Sequence, residues 1–505
     1  MNWYSTDNRS LHVPLSEIPE VAYAEFHDEL AARLARPQYH VAHYFALPAG
    51  DRMRFFCLLL DDARSRVLIA SHATEYYDDG ALPSLTALHP QMHPFERDIA
   101  ERYGIRFDAM PWPKPLRFPA DGYDRRSSID NYPFYTMEGR SLHEVNVGPI
   151  HAGIIEPGAF RFICNGEQIL HLEIALGYQH RGAEAEFAAT ENRLRQACLA
   201  ETVAGDSAVA HASAFAAAVE RLAGFRAPER LETERGIALE LERMAMQIAD
   251  TGALSMDVGY QLGQVACEAL RTIVINTTQR WCGNRFAKGL IRFGGTHYPL
   301  TDDLKMLVLK NLNEVETRYA EVVHSLEGTS SVLARFEDCG VVTRTQALRI
   351  GAVGMAARAS GLVRDIRQTH PRGAYGKLIA HDPVAENSGD VYARLRVRMR
   401  EVAQSAGYVR TLLDTLDCGM RVASLPDYRM ALESDALAFS LVEGWRGEVC
   451  HVGITGSDGQ FRQYKIYDPS LHNWTALALS VRGAGISDFP ICNKSFNLSY
   501  CGHDL

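Results

Sequence analysis

Three histidine-bearing segments carry residues suited to chemistry. His151 follows Gly148-Pro149-Ile150, His180 precedes Arg181, and His211 closes a stretch that starts at Glu201 and passes Gly205, Asp206 and Ser207. Imidazole titrates near neutrality and can hand a proton to a group that is taking up electrons, so His151 is a candidate proton donor. A histidine after Gly-Pro equally suits a turn in which the ring bonds a neighbouring carbonyl. Asp206 and His211 are five residues apart in the chain and do not share a helical face, where neighbours lie three or four apart. Arg358, Asp365 and Arg367 have the pattern of a solvated or ion-paired face. Glu240, Glu242 and Arg243 read as ordinary helix charges.

The 10 cysteines are scattered and never form C-x-x-C, which argues against an iron–sulfur or zinc knuckle held by this chain. Buried free thiols in a reducing compartment fit them better than a disulfide framework. A formal net charge of −10 disfavours a phosphate-tracking surface, so no nucleic-acid partner is expected. Met1 to Leu15 is polar, and no apolar run approaches the roughly 20 residues that cross a bilayer. The expectation is a protein that is soluble by itself or meets a membrane only through partners.

These residues must be positioned by more than one core, because 505 residues exceed an ordinary single domain. A helical stretch at Tyr23–Leu34 precedes strand-length apolar runs at Phe55–Leu60 and Arg66–Ala70, as in a small α/β domain over 1–110. Prolines 111, 113 and 115, and then the polar string 121–128, read as a linker over 111–144. From 145 to 505 a short strand-like region gives way to helical periodicity. It covers 207–222, 234–253, 258–278, 303–326, 343–369 and 391–416, with short strands and turns after Glu443. The fold class is therefore α+β, a small N-terminal α/β domain followed by a large, mainly helical one.

Five ordered segments carry a family resemblance. The run His93-Pro94-Phe95-Glu96-Arg97-Asp98 to Gly104-Ile105-Arg106-Phe107 resembles the end of the 30-kilodalton subunit of complex I. Gly148-Pro149-Ile150-His151 and Gly177-Tyr178-Gln179-His180-Arg181-Gly182 resemble openings shared by the 49-kilodalton subunit of complex I and the large subunits of group 4 nickel–iron hydrogenases. Arg358-Ala359-Ser360-Gly361, with Asp365, Arg367 and Tyr375, is similar to that family's Arg-Ala-Ser-Gly helix. Gly389-Asp390 to Arg394 is similar to its Gly-Asp-x-x-x-Arg turn, and 488–497 to its C-terminal stretch. Fusion of the two subunit types in one chain resembles the formate hydrogenlyase and hydrogenase-4 type.

In the hydrogenases of that family, two C-x-x-C pairs hold nickel and iron. The resemblance places the four ligand positions at Ala204, Ser207, Ser499 and Gly502, none of them a thiolate. Cys501 lies between the last two and is expected to point elsewhere. No metal is expected, because soft sulfur ligands suit such a centre and these side chains cannot replace them. Asp206 and His211 complete a polar pocket. Complex I uses the corresponding cavity for a quinone headgroup, which implies that His151 bonds a quinone oxygen. The tyrosine that partners it there has no counterpart between Tyr178 and Tyr260. The resemblance implies a peripheral-arm oxidoreductase subunit with no cofactor of its own and quinone or another two-electron acceptor in the pocket. Its partners would be a small iron–sulfur subunit near His180, Arg181, Arg358, Asp365 and Arg367, and membrane-embedded antiporter-like subunits. Its place would be the cytoplasmic face of the cell membrane. The alternative is a non-catalytic scaffold of a transport complex.

Overall fold

The computed structural model describes residues 2–75, 80–123, 128–153, 155–419 and 424–505. Part of the polar string, 124–127, lies outside the described residues. The N-terminal strands Tyr39–Ala49, Arg52–Asp61 and Arg66–Glu75 form an antiparallel sheet extended by Tyr4–Thr6. Its centre is the continuous apolar run Phe55–Leu60, as expected of a strand covered on both faces. Helix Tyr23–Leu34 covers one side, with Phe26 stacked on Tyr44 at 5.7 Å between ring centroids. Helix His93–Tyr103 brings Phe95 to 5.5 Å from His43.

A second antiparallel sheet is built from Ala436–Glu443, Glu448–Thr455 and Phe461–Tyr467 near the C-terminus. The strand Val13–Pro14 joins its edge, pairing with Leu437 and Ala436. Apolar residues of both sheets, Phe55 and Leu58 with Phe439 and Val452, share one core. The two ends of the chain are thus packed together. A third sheet of Leu142–Val147, Ala159–Asn165 and Gln168–Ala175 carries the His151 turn between its first two strands.

The helical part centres on Glu229–Asp257, which packs on both Gln261–Cys282 and Val391–Thr415; Asp302–Glu327 packs on Gln261–Cys282. Ala208–Leu222 is rich in alanine and buried along its whole length, so strands can approach its backbone closely. The fold is α+β, a sheet-rich N-terminal part followed by a helical region. Two expectations need correction. The stretch 343–369 is not one helix but three short ones, Arg344–Ile350, Gly354–Ala359 and Ile366–Thr369. Left-handed Gly351, Gly354 and Gly361 break it, and a Cβ on Gly354 would sit 2.2 Å from the Arg446 carbonyl. The tail is more than strands and turns, since helices Ser470–Ser480, Phe489–Phe496 and Tyr500–Asp504 close the chain.

Candidate functional site

Three turns meet at the candidate pocket. The first, Thr202–Ser207, ends where Ser207 opens the buried helix Ala208–Leu222, with Ala204 fully buried. The second follows helix Phe489–Phe496. Ser499 caps the last helix, its Oγ accepting the Gly502 N–H at 2.9 Å. The third is the His151 turn. His151 Nε2 lies 3.0 Å from the Gly158 carbonyl and donates to it, the turn bond that the Gly-Pro context allows. Gly158 in turn lies against Tyr500, since a Cβ there would be 2.7 Å from that ring. His151 therefore stands behind the C-terminal turn, with Nδ1 as its remaining acceptor.

Protein atoms occupy the space at Gly502, the last of the ligand positions that the resemblance implies. A Cβ on Gly502 would lie 2.7 Å from the Asp468 carboxylate and 2.9 Å from Ser499 Oγ. Asp468 is fixed there, because one oxygen accepts the Ser470 N–H at 2.8 Å and the other bonds His211 Nε2 at 3.1 Å. His211 Nδ1 meets His451 Nε2 at 3.0 Å, and His451 Nδ1 meets Tyr464 Oη at 2.8 Å. One assignment satisfies every member: Tyr464 donates to His451, His451 to His211, and His211 to the carboxylate. All four side chains are buried. Burial works against the Asp468 charge, but the His211 bond and the nearby Arg446 hold its pKa below the usual carboxylate range. Burial, with His211 and His43 nearby, holds His451 well below the ordinary histidine pKa, so it is neutral. Such a chain can relay a proton by tautomer exchange, each ring taking one at one nitrogen as it gives one from the other.

Arg446 closes the opposite side. It forms a two-pronged pair with Asp206 at 2.6 and 2.7 Å, reaches Ser207 Oγ at 3.4 Å, and donates from Nε to the Asn497 carbonyl at 2.5 Å. Asp206 and His211 thus have different partners, as their spacing requires. Arg446 sits in the tight 444–447 hairpin, and the charges beneath that hairpin correct the expectation for Arg358, Asp365 and Arg367. They are ion-paired, as one of the two expected patterns has it, but all three are buried and so form neither a solvated face nor a docking surface. Arg358 pairs with Glu443 at 2.8 Å, Glu401 at 2.9 Å and Asp365 at 3.2 Å. Arg367 pairs with Asp365 and with Glu401, each at 2.7 Å. Arg243 donates to the Glu443 and Gly444 carbonyls at 2.6 and 3.0 Å, so it too supports the hairpin. The physical reason is that the short helices of Arg358 and Arg367, Gly354–Ala359 and Ile366–Thr369, pack on Val391–Thr415 and on strand Ala436–Glu443, which leaves these charges no solvent to face.

His180 and Arg181 clasp the pocket's edge. His180 Nδ1 lies 2.8 Å from the Asp504 carbonyl. Exposed Arg181 donates to the Thr202 and Val203 carbonyls at 2.7 and 3.1 Å. Cys501 corrects another expectation: its thiol faces the pocket seam, 3.4 Å from Ser499 Oγ and against the Gly205 backbone. Burial, aided by Glu156, pushes that thiol's pKa up and keeps it protonated.

Comparisons with known proteins give the family. Residues 257–438 match the family described as respiratory-chain NADH dehydrogenase, 49 Kd subunit. Hydrogenase-4 component G of Escherichia coli (strain K12) is 27% identical over 91% of this chain and 80% of its own length. Formate hydrogenlyase subunit 5 of the same organism is 26% identical over 99% of this chain and 89% of its own. An NADH-quinone oxidoreductase subunit of Dehalococcoides mccartyi is 30% identical over 68% of this chain and 93% of its own. The chain belongs to the family of group 4 hydrogenase and complex I-like subunits. For this family member a nickel–iron centre fails on the donor set. Ala204 and Gly502 offer no ligand atom, Ser207 and Ser499 only neutral hydroxyls, and the Asp468 carboxylate abuts position 502. Cys501 supplies a single protonated thiol.

Sequence reasoning missed Asp468, Arg446, His451 and Tyr464, which lie in no recognised motif. It also read Glu242 as an ordinary helix charge. Glu242 is buried beneath the helix that Ser207 opens, accepting the Val209 and Ala210 N–H groups at 2.7 and 3.2 Å. Burial outweighs those bonds and, with the nearby Asp206 charge, raises its pKa to about 8. The folded chain therefore keeps this proton where the unfolded chain releases it. The contribution is full below the ordinary value of 4.5 and is lost as pH rises to about 8. Glu242→Gln is expected to flatten that part of the stability profile; melting temperatures of both proteins across roughly pH 5–9 check it. Parallel profiles would contradict the assignment.

Proposed function

We propose that this complex I-like subunit forms the peripheral arm of a membrane-bound, hydrogenase-related oxidoreductase. Electrons pass from a small iron–sulfur partner, docked beside His180 and Arg181, to a quinone or another two-electron acceptor at the pocket of lost thiolates. Antiporter-like membrane subunits couple that transfer to ion translocation. The subunit sits peripherally on the cytoplasmic side through its partners. No helix among the described residues is long and apolar enough to cross a membrane. Its likeness to hydrogenase-4 component G and to an NADH-quinone oxidoreductase subunit supports a place in a multi-subunit oxidoreductase.

The observation that carries the reading is the chain Asp468–His211–His451–Tyr464 behind a former ligand position. Reducing a quinone to a quinol consumes protons as well as electrons, so its site needs groups that hold and resupply them. His151 is the candidate donor through Nδ1, the ring nitrogen its turn bond leaves free, and the buried chain is a proton relay. A scaffold role is the second reading, favoured by the Asp468 carboxylate against Gly502 and by the His151 bond to Gly158.

One experiment separates them. The intact complex is purified, its clusters reduced, and their reoxidation by added quinone followed spectroscopically. The oxidoreductase reading expects His151→Ala to slow reoxidation by about 10²-fold, the lower range for loss of a general acid. Equal rates in both proteins, or a complex with no clusters, would leave the scaffold.

A further inference from the structure

Away from the pocket, two of the cysteines face each other. Cys339 lies between helices Ser330–Phe336 and Arg344–Ile350, and Cys492 lies within helix Phe489–Phe496. Their sulfurs are 3.8 Å apart, the one thiol pair in contact among the described residues. Cys339 is half-buried and Cys492 fully buried, so Cys339 is the member of the pair that keeps contact with solvent. The gap is kept open by Gly340, whose left-handed backbone lacks a Cβ that would sit 2.6 Å from Cys492 Sγ.

A buried cation completes the site. Arg394 donates to the Gly340 and Gly389 carbonyls at 3.0 and 2.7 Å and to Ser495 Oγ at 2.8 Å, with its guanidinium over the Phe496 ring. Among the described residues it has no carboxylate at ion-pair distance. Its charge favours a thiolate on the nearby sulfurs. The hydrogen bond from Cys492 lowers the Cys339 pKa, Arg394 adds to that effect, and the same contact with burial pushes Cys492 up. The two thiols are thus differentiated into an attacking and a resolving member.

We propose that Cys339 and Cys492 form a reversible dithiol–disulfide site whose substrate is a small solvent-borne disulfide. The Cys339 thiolate attacks one sulfur of that disulfide, breaking its S–S bond and releasing one thiolate. Cys492 then gives its proton to the released thiolate and attacks Cys339 Sγ, expelling the second thiolate, which takes a proton from solvent. The protein dithiol loses two electrons, and the external disulfide leaves as two thiols. The new bond would tie the 337–342 loop to the helix that leads into Asn497, the residue held by Arg446. It stands independently of which acceptor the pocket takes.

The test treats the folded complex with oxidised glutathione, quenches it in acid, alkylates free thiols under denaturing conditions, and maps peptides by mass spectrometry without reduction. The expected product is a Cys339–Cys492 linked peptide pair that dithiothreitol separates. Cys492→Ser is expected to stop at a glutathione adduct on Cys339, and Cys339→Ser to leave Cys492 free. Full alkylation of both cysteines in the wild-type complex, while exposed Cys198 takes up glutathione, would overturn the proposal. The wild-type measurement decides it even where a variant fails to fold.

Discussion

Gly502→Ala is expected to lower stability by about 1–3 kcal/mol, the usual cost of forcing atoms into filled space. The added Cβ would meet the Asp468 carboxylate at 2.7 Å. That carboxylate cannot retreat, because Ser470 and His211 hold its two oxygens and the side chain is 2% exposed. The loss should shrink in an Asp468→Ala background, giving a coupling of about 1 kcal/mol or more between two touching residues. Denaturant unfolding of the two single variants and the double variant measures it. Additive losses would mean that position 502 is not filled as described. The same geometry predicts that A204C/S207C/S499C/G502C does not rebuild a nickel site.

A larger loss is expected from Arg358→Met. Its guanidinium is fully buried and touches Glu401, Asp365 and Glu443, so removing it leaves carboxylates without their counter-charge. Breaking one side of such a buried network costs about 3–5 kcal/mol. Arg318→Met, which removes a pair with Glu314 whose members are 47% and 46% exposed, should cost at most about 1 kcal/mol. Unfolding midpoints of the two variants should therefore separate widely. Similar midpoints would contradict the hairpin-support role given to Arg358.

The long helices were legible because apolar periodicity survives even in buried elements. The stretch 391–416 appears as Val391–Thr415, and 303–326 as Asp302–Glu327. The stretch 343–369 misled because its residue pattern hides the left-handed glycines that break it. Burial of Arg358 and Arg367 was not legible, since a charged pattern looks alike on a wet face and inside a paired network. Family spacing puts the former ligand positions at Ala204, Ser207, Ser499 and Gly502. The Asp468 carboxylate against Gly502 was not legible, because that residue arrives from a strand end 34 positions earlier.

A hydrogenase-related fold with no thiolate at the four implied ligand positions, and with a carboxylate packed against Gly502, should hold no nickel. Metal analysis of the purified intact complex tests that most directly. The expected result is background nickel in this subunit, with any iron residing in partner clusters. Stoichiometric nickel bound to this chain would contradict it.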